Sequence, residues 1–129
     1  MDTGPVSAID VLLAAARAGL DRVRPEDLAG ELAAGALIVD IRPVEQRSRD
    51  GHLDGAVVID RNVLEWRRDP TCPHHLPQIT DANQRIVVVC NEGYGSSLAA
   101  ATLHRIGLHR STDLMGGFQA WRAYADRAV

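Results

Sequence analysis

The chain contains no lysine, and all 14 of its basic residues are arginine. So uniform a choice reads as a GC-rich coding bias rather than 14 functional selections. No apolar run reaches about 18 residues, so no membrane-spanning helix is expected. The N-terminus lacks a basic start followed by an apolar core, so no secretory signal is expected and the expected location is cytoplasmic. Cysteine is scarce, with only Cys72 and Cys90. In a reducing compartment both stay thiols. Neither has metal-ligand spacing, and His74-His75 in a proline-rich loop read as exposed polar residues, so no metal and no cofactor are expected. The net charge of −3 is dispersed along the chain, which argues against a nucleic-acid partner.

What the chain does have is length for one well-buried domain, at 129 residues. Its organising stretch is Ile86-Val87-Val88-Val89-Cys90, followed by Asn91-Glu92-Gly93-Tyr94-Gly95 and then Ser96-Ser97 at the head of an alanine-rich helical run. The apolar run reads as a strand buried on both faces, as in parallel sheets. Ser96 is the expected N-cap of the helix, with Ser97 the second option. Cys90 is thereby placed at the carboxyl end of a central strand, facing a helix N-terminus. Ligands bind at that edge of open α/β sheets, and its amides and helix dipole favour an anion such as a thiolate.

The rest of the chain alternates strands with helical segments, which predicts an α/β fold with a mostly parallel central sheet and helices on both faces. Ser7 to Leu20 reads as an amphipathic helix with Ile9, Leu12, Leu13, Ala16 and Leu20 on one face. That face is expected to dock on the domain itself, with a protein partner as the alternative. Residues 25–34 read as a second helix, with Pro25 in its first turn and Gly35 beyond its end. Residues 36–42 form a buried strand ending in Asp40 and Arg42, and 43–50 a polar loop with a short helical turn. A short strand at 56–59 and a short helix at 61–68 precede a long connection, 69–83, with three prolines.

Four motifs in order resemble those of rhodanese-like sulfurtransferases, whose active-site cysteine carries sulfur as a persulfide. They are Asp40-x-Arg42, Gly51-His52-Leu53-Asp54-Gly55-Ala56, the loop Cys90-x-x-Gly93-x-x-Ser96-Ser97, and Gly116-Gly117-Phe118-x-x-Trp121. The resemblance covers about residues 22 to 127. It divides the chain into an N-terminal helical extension, 1–21, and a rhodanese-like domain, 22–129. It departs from the family at Arg24, where Ser or Thr is more usual, and between Arg42 and Gly51, where an aromatic residue is absent. His52 is expected to be a structural hydrogen-bonding group, and Met115 and Trp121 to be core.

The resemblance implies that Cys90 is the nucleophile and persulfide carrier, that Asn91, Glu92, Gly93, Tyr94, Gly95 and Ser96 form its loop, and that Asp40, Arg42 and Arg61 support the site. The implied partners are a sulfane-sulfur donor and a thiol or cyanide-like acceptor. Many family members carry a cation inside the loop, suited to thiosulfate. This loop has Glu92 instead, so thiosulfate is expected to be a poor donor unless Arg42 or Arg61 reaches in. Related phosphatases and arsenate reductases use a longer loop ending in arginine, which is missing here. The main alternative is a non-catalytic module that binds a protein or senses persulfides. Cys72, in an irregular loop, is expected to be inert.

Overall fold

Four short strands, β1 (Leu37–Asp40), β2 (Ala56–Val58), β3 (Ile86–Val89) and β4 (Ser111–Asp113), pair in the order β2-β1-β3-β4, all parallel. Among the described residues, six α-helices accompany them: α1 (Ala8–Ala18), α2 (Leu28–Ala33), α3 (Val44–Asp50), α4 (Leu64–Arg68), α5 (Gly95–Arg105) and α6 (Gly117–Arg127). The structure is a computed structural model that describes residues 6–128. The start of the 1–21 extension therefore lies outside the described residues.

Every side chain of β3 is fully buried, because successive residues of a strand face opposite sides and both sides are covered. Ile86 and Val88 join Val39, Ile41, Leu64, Ala99 and Leu103 beneath α4 and α5. Val87 and Val89 join Val23, Leu28, Ile38, Leu114 and Phe118 beneath α2 and α6. Burial of each of these aliphatic side chains contributes on the order of 2 kcal/mol. Helices thus cover both faces of the sheet, as the sequence pattern predicts. Val23 extends it by one isolated parallel bridge to Leu114. No described helix is long and apolar enough to cross a membrane.

The N-terminal helix docks in cis. Ser7 caps α1 by accepting the Asp10 N–H at 3.2 Å, and Leu13 is buried. The expected apolar stripe is only partly used, since Ile9 and Leu12 remain exposed while Ala16 and Leu20 are half-buried. A hollow lined by Leu12, Ala15, Ala16, Leu98 and Ala101 runs between α1 and α5.

Several local expectations change. The segment at 43–50, expected as a loop with a short helical turn, is helical almost throughout: α3 makes two turns and begins directly after Pro43, which is pre-set for a helix entry. Residues 25–34 start as a 3-10 turn, Pro25–Asp27, before α2. Met115 is 40% exposed, not core, because it follows the last sheet residue and leads into the turn before α6. Trp121 is half-buried and packs against the second cluster. The 69–83 connection is pinned from beneath by Arg68, which is fully buried and donates to the carbonyls of Asp81, Ala82 and Gln84.

Candidate active site

Register brings the polar strand ends together. Asp40 pairs with Val89, and Val88 with Asp113, so Asp40, Cys90 and Asp113 share the carboxyl edge of the sheet. Cys90 follows Val89 directly, and the loop that it opens is clamped by the turn before α6. The Phe118 N–H donates to Cys90 O at 2.8 Å and the Gln119 N–H to Asn91 O at 3.1 Å. Two glycines permit this approach. A Cβ on Gly93, at φ +86°, would lie 2.6 Å from Gly116 N, and one on Gly117, at φ +64°, 2.5 Å from Cys90 O. Side chains there meet backbone that cannot yield.

Cys90 is half-buried, and its sulfur faces two backbone donors and a hydroxyl. It accepts the Gly93 N–H at 3.1 Å and the Ser96 N–H at 3.4 Å, and Ser96 Oγ lies at 3.2 Å. The Ser96 amide belongs to the first turn of α5, so the helix dipole adds to the direct bonds.

Ser96 is not the N-cap. Tyr94 holds that position, and no side chain caps the helix. Ser96 Oγ and Ser97 Oγ instead both lie 2.7 Å from Asp113 Oδ2. A fully buried carboxylate must be satisfied, whereas the first-turn amide of Ser96 already has the sulfur as its acceptor. Asp113 is completed by Arg22, whose Nε donates to Oδ1 at 2.9 Å and Nη2 to Oδ2 at 3.1 Å.

Arg22 Nη2 also donates to the Gly93 carbonyl at 3.0 Å, and Arg17 Nη2 donates to the same oxygen at 2.7 Å. Arg17 Nε reaches Ser97 Oγ at 3.1 Å, and its guanidinium lies 5.5 Å from the Tyr94 ring centroid. Among the loop residues, Asn91 accepts from Gln119 Nε2 at 2.9 Å, Glu92 and Tyr94 are exposed, and Gly95 begins α5.

The proposed supporting residues divide. Asp40 and Arg42 form a fully buried ion pair at 2.8 Å. The Arg42 guanidinium stacks 3.7 Å from the Phe118 ring centroid, and Phe118 in turn holds the Cys90 carbonyl. The pair therefore reaches the site at one remove. Arg61 is bound to Glu65 at 2.9 Å beside a separate cleft lined by Pro43, Val44 and Asn62. Neither Arg42 nor Arg61 supplies a cation to the loop; Arg17 and Arg22 do. His52 is exposed, and its expected hydrogen-bonding role has no side-chain partner among the described residues. Cys72 lies beside Ile106, just past the far end of α5, roughly 15 Å of helix from the loop. No cluster of metal-ligating side chains occurs among the described residues.

Sequence reasoning missed Arg17, Arg22, Asp113 and Gln119 as site residues. Asp113 carried the same signal as Asp40, a carboxylate ending a buried strand. Arg17 follows the buried Leu13 by four residues, so it shares the docked side of α1.

Residues 24–124 match the family model of the rhodanese-like domain. The chain belongs to the rhodanese-like family. Thiosulfate sulfurtransferase GlpE of Stutzerimonas stutzeri is 33% identical over 104 residues, covering 78% of this chain and 84% of that protein. A rhodanese homolog from the extremely thermophilic bacterium Thermus thermophilus aligns at 31% identity with a TM-score of 0.55, covering 77% and 98% of the two chains. A Rhodopseudomonas palustris protein of unknown function, described as a possible tyrosine phosphatase, aligns at 30% identity with a TM-score of 0.81. That alignment covers 97% of this chain and 96% of the other, so the likeness extends over α1. The family match and the relatives together place the chain with rhodanese-type sulfurtransferases.

Proposed function

We propose that this rhodanese-like chain moves a sulfane sulfur through a persulfide on Cys90 to a thiol or another nucleophile. The observation that carries this reading is the pair of backbone amides, from Gly93 and Ser96, that donate to Cys90 Sγ at 3.1 and 3.4 Å, with the Ser96 hydroxyl 3.2 Å from the same sulfur. The Cys90 thiolate attacks the outer sulfur of the donor. The donor's S–S or S–sulfonate bond breaks, its remainder leaves with the electron pair, and Cys90 holds a disulfide-linked sulfur anion. The acceptor then attacks that terminal sulfur and expels the Cys90 thiolate, so no oxidant or reductant is consumed.

Ser96 suits both charge states of the sulfur. With a thiol, S–H donates to Ser96 Oγ while the hydroxyl proton serves Asp113. With a thiolate, the hydroxyl turns toward sulfur, and Asp113 keeps Ser97 and Arg22. The two backbone amides need no turning at all. A neutral or thiol-borne persulfide is the favoured donor, because Glu92 is the charged residue of the loop and both nearby guanidinium groups are engaged.

The test is intact-protein mass spectrometry after exposure to several sulfane donors. The expected result is one sulfur atom added at Cys90, removed by cyanide with release of thiocyanate and absent from Cys90→Ser. Failure of every donor to load Cys90 would leave a second reading, a protein-binding module, which the exposed Val6, Ile9 and Leu12 of the N-terminal segment favour. Turnover of an aryl phosphate without sulfur loading would instead favour the phosphatase named for the Rhodopseudomonas relative.

A further inference from the structure

We propose that α1 braces the sulfur site: Arg17, with Arg22, grips the Gly93 carbonyl and keeps the Gly93 amide aimed at Cys90 Sγ, which makes Arg17 a positioning residue for sulfur transfer. The inference rests on the reading of Cys90 as the sulfur carrier. Gly93 donates the shorter of the two amide bonds to the sulfur, 3.1 Å against 3.4 Å. It sits at φ +86°, and a glycine backbone has more freedom to rotate than any other. Something must hold its orientation. Its carbonyl accepts two guanidinium N–H groups, at 2.7 Å from Arg17 and 3.0 Å from Arg22.

Arg17 is itself held on three sides. Nη2 takes the Gly93 carbonyl, Nε takes Ser97 Oγ, and the guanidinium lies over Tyr94. A planar fork can make these contacts together, and a lysine ammonium cannot. One turn earlier the buried Leu13 fixes α1 in place. Both arginines precede the residues that match the family domain, 24–124. Among the described side chains of residues 24–124, the Gly93 carbonyl has Ser97 Oγ at 3.4 Å, a hydroxyl that also lies 2.7 Å from Asp113 Oδ2. Asp113 offsets one of these two guanidinium charges and the exposed Glu92 the other, so removal of the Arg17 charge leaves the surroundings of Cys90 more negative.

The experiment compares full-length wild type, Arg17→Gln and Arg17→Lys. It measures sulfur transfer to cyanide, thermal unfolding, and the rates at which iodoacetate and iodoacetamide modify Cys90, followed on the Cys90 peptide. Arg17→Gln is expected to lower kcat/KM for transfer about tenfold, the scale of one charge-assisted hydrogen bond. It should also lower the iodoacetate-to-iodoacetamide rate ratio roughly threefold, since only the anionic reagent senses the lost charge. Arg17→Lys should keep that ratio and recover part of the transfer. The brace is overturned if Arg17→Gln transfers sulfur like wild type. It is equally overturned if transfer falls alike in both variants, with lowered melting temperatures and an unmoved alkylation ratio, which assigns Arg17 to packing. Were wild type never to load sulfur, the sulfurtransferase reading would fail by itself, while an iodoacetamide rate at Cys90 equal in wild type and Arg17→Gln would still overturn the brace.

Discussion

Cys90 Sγ and the Gly93 amide, 3.1 Å apart, make the sulfur's surroundings depend on a residue without a side chain. Gly93→Ala would force a left-handed backbone on an L-residue and press its Cβ against Gly116 N. The backbone strain alone costs about 1–3 kcal/mol, so the melting temperature should fall by several degrees. Transfer should fall further than stability accounts for, because the amide leaves the sulfur. Paired unfolding and rate measurements check this, and equal small losses would contradict it. Glu92 is exposed beside the same loop. A like charge at about 4 Å costs about 1 kcal/mol in water and more in a cleft. Wild type is therefore expected to prefer a thiol-borne persulfide to thiosulfate, and Glu92→Arg to lower the apparent KM for thiosulfate by about fivefold or more. Efficient thiosulfate use by wild type, or an unmoved KM in the variant, would remove the loop-charge argument.

Among the elements, β1 shows how a strand end acts on the site from behind. Asp40 and Arg42 are buried together, and Arg42 also donates to the Gly51 carbonyl at 2.9 Å and stacks on Phe118. One pair thus ties β1 to the glycine that ends α3 and to the first turn of α6. Asp40→Ala strands a buried guanidinium, a change that costs about 3–5 kcal/mol. Its melting temperature should drop at least as clearly as its turnover. An unaltered melting temperature with abolished transfer would reassign the pair to the chemistry itself. Arg68 does comparable work under the 69–83 connection, where three carbonyls converge on one buried side chain. Burial pushes its guanidinium below the usual arginine range.

Across the molecule, Asp50 links α3 to α6 and, through it, to the sulfur loop. Its carboxylate accepts from Arg49, Arg122 and Gln119, and the same Gln119 amide donates to Asn91. The Arg49 bond, assisted by Gln119 and Arg122, holds the Asp50 carboxyl down at about 2. A carboxyl depressed in the folded state stabilises fully above its unfolded value, about 3.9. It loses that contribution as pH falls through the folded value. The melting temperature of wild type should therefore fall between about pH 4 and pH 2, and part of that fall should be missing in Asp50→Asn. Identical acid profiles for the two proteins would show that Asp50 carries no such linkage.

The strands, their parallel arrangement and the place of Cys90 were legible in the sequence, because burial on both faces writes a continuous apolar run that only a central strand can use. The glycines at 93 and 117 and the Asp40-x-Arg42 ending were marked by the resemblance to the rhodanese-like family, and the structure supplies the demand of backbone or burial that each answers. The N-cap role expected of Ser96 was decided otherwise by Asp113, a residue 17 positions away that register carries to the same sheet edge. Arginines looked like a compositional habit, yet Arg17 and Arg22 converge on Gly93 from 76 and 71 residues away in sequence. Local propensity reports what a segment can be. Which distant charge satisfies a buried carboxylate or carbonyl is settled only when packing removes water from both.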